Sequence, residues 1–135
     1  MSIIKSLQEW LDTYDGMEIT TLTDTVDETA GSYALALAGT EVASIDILGK
    51  RTYRHSYVFY AREQVDAESD RAGNYDFIES FVEWIENQSD KEELPTLPGK
   101  YKSTGIEVSN AMLYDIYDDG TGLYQLQINL EFERT

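Results

Sequence analysis

The sequence contains no cysteine, two prolines and a single histidine. Without cysteine, disulfides, thiolate metal sites and cysteine nucleophiles are all excluded together. Basic residues are also scarce, because 10 Lys and Arg stand against 26 Asp and Glu and leave a net charge of −16. Nucleic-acid binding draws most of its affinity from basic side chains that release counterions, so no specific nucleic-acid binding is expected.

Long hydrophobic runs are missing as well. The first residues, Met1 to Lys5, do not begin an apolar segment of signal-peptide length, and no stretch approaches the roughly 18 apolar residues of a membrane span. We therefore expect no membrane contact, and we expect the protein to remain in a cytoplasm or in a particle assembled there.

The residues that are present predict a folded chain. Hydrophobic residues make up 41% of the 135 residues and aromatic residues 12%, which is too apolar for a disordered chain despite the high net charge. A chain of this length buries about two-thirds of its unfolded surface around one core. We therefore predict that residues 1–135 form a single domain with the acidic residues on its outside.

Two segments have the apolar spacing of helices. From residue 2 to residue 14, apolar side chains recur on one helical face, Ser2 is a plausible N-cap, and Gly16 is expected to end the helix. A second helix is predicted from an Asn74 cap to about Ser89. Its apolar stripe consists of Tyr75, Ile78, Phe81, Val82 and Ile85.

The remaining periodic segments alternate as strands do. Gly39 and Thr40 are expected to break one strand from the next, and the long segment from Arg51 is expected to be central in the sheet. This order predicts an α+β fold, with a mixed, mainly antiparallel sheet and two main helices packed on it. The predicted strands are Met17 to Leu22, Ser32 to Ala38, Val42 to Leu48, Arg51 to Glu63, Gly105 to Met112, Leu113 to Tyr117 and Leu123 to Glu133.

One acidic cluster resembles the start of a calcium loop. Asp115, Asp118 and Asp119 precede Gly120, but a calcium loop that began at Asp115 would need ligands where Tyr117 and Leu126 stand. Turn chemistry explains the same residues, so we predict a hairpin turn here and no metal site.

No residue pattern predicts catalysis. His55 has no nucleophile, second histidine or orienting carboxylate at a recognisable spacing, so we interpret it as a residue on a sheet face. Glu79, Glu83 and Glu86 are expected to form the solvated face of the second helix. We predict no catalytic residue, no cofactor and no enzyme activity.

Lys50, Arg51 and Arg54 form the one basic cluster visible in the sequence, beside a predicted hairpin turn at Gly49. In an anionic protein, such a cluster can dock onto the acidic surface of a neighbouring copy and fix its orientation. The alternative is a solvated hairpin without a partner, and the sequence leaves both interpretations open.

Several segments together resemble a known protein family. The chain is similar to the small minor capsid proteins encoded among the head and tail genes of phages and prophages of Gram-positive bacteria. The similarity lies in core-type patterns and spans nearly the whole chain. The segments that carry it are Met1 to Leu7, Tyr57 to Glu63, Tyr75 to Phe77, Phe81 to Gln88, Leu94-Pro95 and Tyr124 to Ile128.

This resemblance implies a fold and a role. These proteins are similar in size and element order to the tail-terminator and head-tail joining proteins of long-tailed phages, which form rings that are typically hexamers. The resemblance therefore implies a tail-terminator-like fold, a homo-oligomeric ring, contacts with a tail tube or head connector, and a place in the virion. DNA would pass through such a ring, and an acidic lumen would let it slide.

Two other functions stay open at this point. The acidity favours a DNA-mimic inhibitor of a DNA-binding host enzyme, which would carry carboxylates spaced like phosphates across one outer face. The abundance of carboxylates also leaves room for a small metal-dependent enzyme, although no ligand spacing indicates one.

Overall fold

The computed structural model describes residues 2–14, 22–23, 32–65, 68–117 and 120–134. Within these ranges, five strands and two helices follow one another in an order that begins with a helix and ends with two long strands. They are α1 (Ile3–Leu11), β1 (Leu22–Thr23), β2 (Ser32–Ile45), β3 (Arg51–Gln64), α2 (Glu68–Asp90), β4 (Tyr101–Ile116) and β5 (Thr121–Arg134).

The strands form one sheet in the order β1-β2-β3-β5-β4. The short pairing of β1 with β2 is parallel, and the other three pairings are antiparallel. The predicted α+β fold, with a mainly antiparallel sheet and two helices, is therefore confirmed. The prediction that the strand beginning at Arg51 is central is also confirmed, because β3 lies between β2 and β5.

β2 is longer than predicted. Gly39 and Thr40 do not end the strand, which continues to Ile45 and stays paired with β3 across a register shift between Leu37 and Gly39. The register shift at glycine is a β-bulge, which interrupts the hydrogen bonds between the strands only locally. The pairing resumes after it because the partner strand β3 continues without a break. The two strands predicted on either side of Gly39 are therefore one strand.

β4 also replaces two predicted strands. It starts at Tyr101, four residues before the predicted start at Gly105, and it runs without a break to Ile116. Three register shifts along its pairing with β5 account for the irregular pattern that suggested two strands. Such bulges also suit β4 to the sheet edge, where they hinder pairing with a further strand.

α1 begins at the predicted cap. The side-chain oxygen of Ser2 accepts a hydrogen bond from the backbone N–H of Lys5, which satisfies one of the free donors of the first turn. The helix ends at Leu11, earlier than predicted, and hydrogen-bonded turns continue it to Tyr14. Gly16, which was expected to end the helix, lies outside the described residues, as does most of the strand predicted at residues 17–22.

α2 begins at Glu68, six residues before the predicted cap, so the prediction that Asn74 caps this helix is wrong. The Asn74 amide instead donates hydrogen bonds to the Gln64 carbonyl and the Tyr124 hydroxyl. The Arg71 guanidinium donates to the Val65 carbonyl. These bonds to the end of β3 and to β5 stabilise the early turns, and they offset the low helix propensity of Gly73.

Both helices cover the same face of the sheet. Leu7 and Leu11 of α1 belong to one buried cluster with Ile78, Phe81 and Ile85 of α2. The sheet contributes alternate residues to that cluster, and on β5 these are the predicted Tyr124, Leu126, Ile128, Leu130 and Phe132. The side chains that alternate with these on β5 are mainly polar. They lie on the opposite face of the sheet, where they are only partly buried.

Aromatic rings hold the two layers together. The Phe81 ring, which has no exposed surface, lies 4.8 Å from the Phe59 ring of β3 and 5.2 Å from the Tyr14 ring, measured between centroids. The Trp10 ring of α1 lies 4.9 Å from the Trp84 ring of α2, and its indole N–H donates to the Glu93 carbonyl at 2.9 Å. α1, α2 and the sheet therefore share one continuous aromatic core.

We expect Phe81→Ala to lower the free energy of unfolding by about 3–5 kcal/mol, because it removes a fully buried ring and leaves a cavity between α2 and β3. Urea unfolding followed by tryptophan fluorescence measures this change. Ser80→Ala, at the exposed neighbouring position, is the control and should stay within about 0.5 kcal/mol of the native chain. Equal effects of the two substitutions would contradict this account of the core.

Candidate interaction surface

A tight turn joins β2 to β3 and presents two apolar side chains to solvent. The Asp46 carboxylate accepts hydrogen bonds from the backbone N–H groups of Leu48 and Lys50, both at 2.9 Å. Gly49 has φ +84°, a conformation that side chains with a Cβ rarely adopt. The turn predicted at Gly49 and Lys50 is therefore present, and Asp46 organises it.

Large apolar side chains concentrate on this hairpin. Ile47 is 100% exposed and Leu48 is 90% exposed, although isoleucine and leucine are among the residues most often buried. Every residue from 37 to 51 is exposed. We call the exposed apolar residues Leu37, Val42, Ile45, Ile47 and Leu48 the apolar hairpin. A concentration of this kind is typical of a surface that contacts another protein.

Two of the three basic residues predicted to act together, Arg51 and Arg54, lie on opposite faces of β3. Arg54 lies on the sheet face that the helices leave uncovered, with guanidinium nitrogens 3.4 Å from a Glu41 oxygen and 3.2 Å from a Glu131 oxygen. These ion pairs are exposed, so each contributes only about 0–1 kcal/mol. They show that Arg54 is already balanced by carboxylates of its own sheet.

Lys50 lines a cleft of about 840 Å³ at the end of the sheet, and Arg51 follows it as the first residue of β3. The cleft is lined by Lys50 and by residues that the sequence analysis did not single out, namely Leu48, Gly49, Lys100, Tyr101 and Arg134. Lys100 and Arg134 come here because β4 starts and β5 ends beside the turn. The strand register alone brings them together, so no local sequence pattern could have identified them.

Cations face each other across this end of the sheet. Arg51 of β3 lies directly opposite Arg134 of β5 in the strand register. Lys50 forms an ion pair with Glu133 at 3.1 Å, whereas neither arginine has a carboxylate within 4.0 Å among the residues that the structure describes. We call Lys50, Arg51, Lys100 and Arg134 the basic end.

His55 lies on a sheet face, as interpreted from the sequence, and this is the face of β3 that the helices cover. Its Nδ1 and the Tyr57 hydroxyl are 3.1 Å apart and share a hydrogen bond, and its ring meets the Phe132 ring edge-on. Burial lowers the pKa of His55 from its ordinary value of 6.5. Burial also raises the pKa of Tyr57 to about 12.

Arg62 is a buried cation that the sequence analysis missed. Its Nε donates to the Thr121 hydroxyl at 2.9 Å, and its guanidinium lies 4.2 Å from the centre of the Tyr117 ring. These contacts connect β3 to the turn between β4 and β5. In that turn, the Tyr117 N–H donates to the Thr121 carbonyl and Gly120 has φ +84°, as the predicted hairpin requires.

Asp115 is exposed, and Asp118 and Asp119 lie outside the parts of the chain that the structure describes. Across those same parts, no group of three potential ligands from His, Asp and Glu comes together. Neither described helix is long and apolar enough to cross a membrane.

No family model matches the chain, and no curated protein matches it either.

Asp46→Ala should lower the free energy of unfolding by about 1 kcal/mol, because it removes the acceptor of two backbone hydrogen bonds in the turn. Asp46→Asn keeps an acceptor oxygen and should retain most of that stability. Chemical denaturation of both variants measures the difference. Equal losses for alanine and asparagine would show that the carboxylate oxygen does not hold the turn.

His55 and Tyr57 should make the stability of the protein depend on pH, His55 in the acidic range and Tyr57 in the alkaline range. Below pH 6.5, the unfolded chain binds a proton at this histidine before the folded chain does, so stability should fall as the pH decreases. Above pH 10.0, the unfolded chain loses the tyrosine proton first, so stability should fall as the pH rises towards about 12.

Thermal unfolding across these pH ranges tests both effects. His55→Gln should reduce the acidic slope, and Tyr57→Phe should reduce the alkaline slope, each relative to the native chain. Slopes that are unchanged in the variants would assign the pH dependence to other groups.

Proposed function

We propose that this chain is a structural protein of a phage virion, with a minor capsid, tail-terminator or head-tail joining role. It acts through protein contacts, as a homo-oligomeric ring that meets the tail tube or the head connector, and it is assembled in the cytoplasm of the bacterial host. It is not an enzyme in this proposal, and it needs no cofactor.

The apolar hairpin is the observation that carries this proposal. A turn held by Asp46 projects the nearly fully exposed Ile47 and Leu48 from a folded sheet. Burial of these two side chains in a partner would be favourable by about 1.5–3 kcal/mol each. An exposed apolar element on a rigid support is the arrangement that protein assembly requires, whereas it offers nothing to a chemical reaction.

The distribution of charge is consistent with a ring around DNA. The net charge is −16, and none of the acidic side chains that the structure describes is buried, so the described surface is acidic. Such a surface repels the phosphate backbone, so a ring with carboxylates towards its lumen would let DNA pass without adhesion. This part of the proposal fails if the carboxylates point away from the ring axis.

A row of exposed carboxylates on α2 favours a second candidate function, a DNA-mimic inhibitor of a DNA-binding host enzyme. Asp76, Glu79, Glu83 and Glu86 are exposed at intervals of three or four residues and so lie along one side of the helix. A mimic of this kind would bind its target enzyme as a monomer or dimer, and DNA would compete with it.

Deletion of the coding sequence from the phage or prophage tests the first candidate. We expect heads and tails to accumulate separately, or tails to lose their defined length, and we expect the native chain to be found in purified particles. Electron microscopy and mass spectrometry of the particles give these two results. Normal infectious particles without the chain would contradict the proposal and would favour the mimic.

Ile47→Glu with Leu48→Glu should abolish incorporation into particles while leaving the thermal stability of the chain nearly unchanged, because both side chains are exposed in the folded chain. Thr96→Glu with Ser109→Glu adds the same charge at other exposed positions and should be incorporated normally. Equal incorporation of both variants would show that the apolar hairpin is not a contact surface.

A further inference from the structure

The basic end concentrates cations at a cost to the folded chain. Arg51 and Arg134 are directly opposite each other on neighbouring strands, where like charges destabilise a sheet. Lys50 and Lys100 line the adjacent cleft. In a protein of net charge −16, Arg51 and Arg134 therefore form a local site of positive charge that an anionic partner would stabilise.

α2 shows the opposite arrangement. Its exposed carboxylates repeat at intervals of three or four residues and repel one another by about 0.2–0.5 kcal/mol per pair. No basic residue lies in the last turn of the helix, where a cation would be favourable. We call Asp76, Glu79, Glu83, Glu86 and Asp90 the acidic stripe.

The five carboxylates of the acidic stripe form no ion pair, within 4.0 Å, with any cation among the described residues. The stripe extends over residues 76–90 of α2, which is about 21 Å along the helix axis.

We propose that the basic end of one copy binds the acidic stripe of a second copy. This contact presupposes the proposed function as a homo-oligomeric assembly. It names the two surfaces through which neighbouring copies would bind. Arg51 and Arg134 pair with carboxylates such as Glu79 and Glu83, and the neighbouring Ile47 and Leu48 pack against the helix and exclude water from those pairs.

Charge complementarity selects a second copy as the partner, because each surface relieves the like-charge repulsion of the other. The two surfaces are different parts of the chain, so the contact is head to tail. Contacts of this kind generate rings when the rotation closes and filaments when it does not. An open assembly keeps one free basic end and one free acidic stripe, at its two ends, until it closes.

Charge reversal on each side tests the contact. Variant A carries Arg51→Glu and Arg134→Glu, and variant B carries Glu79→Lys and Glu83→Lys; all four positions are exposed, so both variants should fold. We expect self-association of the native chain to weaken at least about tenfold in either variant alone, because each then presents two surfaces of like charge. Sedimentation equilibrium measures the association, and circular dichroism checks the fold.

An equal mixture of variants A and B should restore association. The acidic end of A then meets the basic helix of B, and the basic end of B meets the acidic helix of A. A single chain with all four substitutions should also associate like the native chain, and it has the same net charge, which controls for general repulsion. Native-like association of A or B alone, or no recovery in the mixture, would overturn the proposal.

The absence of cysteine offers an independent test. A Leu48→Cys variant mixed with a Glu83→Cys variant should form disulfides between the two variants under oxidation. Their yield should exceed that of the disulfides that each variant forms alone. A Thr104→Cys control at an exposed edge position should not form them with Glu83→Cys. A native chain that stays monomeric at every concentration, with no excess of mixed disulfides, would overturn the contact.

The outcomes separate this contact from the proposed function. Incorporation into particles together with failure of the charge-swap mixture would overturn the contact and leave the virion role standing. Recovery in the mixture together with absence from particles would support the contact and overturn the virion role.

Discussion

The packing of aromatic rings between α2 and the sheet is the constraint on which the rest of the structure depends. Phe81 is fully buried against Phe59 and Tyr14, and the neighbouring Trp84 meets Trp10 of α1. Because these contacts use one face of the sheet, the helices stay on that face and the opposite face remains partly exposed. They also fix the direction of α2, which carries the acidic stripe along its outer side.

Charge is distributed unevenly over this scaffold. A core of apolar and aromatic side chains excludes charged groups, and none of the acidic side chains that the structure describes is buried. Cations gather where β3 starts and β5 ends, because Arg51 and Arg134 share one register position. The adjacent turn adds exposed apolar side chains. A molecule with such different surfaces is suited to directional contacts with other proteins, which is the basis of both proposals.

Periodic segments were predicted well, and irregular ones were not. The alternation of β5 and the apolar stripe of α2 correspond to buried faces, because burial on one side imposes the period directly. The predictions at Gly39 and Asn74 were wrong. Glycine often ends a strand and asparagine often caps a helix, but contacts with residues far along the chain override both preferences here. β3 keeps β2 paired past Gly39, and hydrogen bonds from Asn74 to Gln64 and Tyr124 hold it inside α2.

The sequence by itself determined the α+β class, the acidic surface, the turn at Gly49 and the absence of any cysteine chemistry, since composition and local periodicity carry this information. Only the tertiary structure decided which charges meet. It paired Arg54 with Glu41 and Glu131, and it brought Lys100 and Arg134 to the turn that carries Lys50. The physical reason is strand register, which joins residues far apart in the chain and leaves no trace in local spacing.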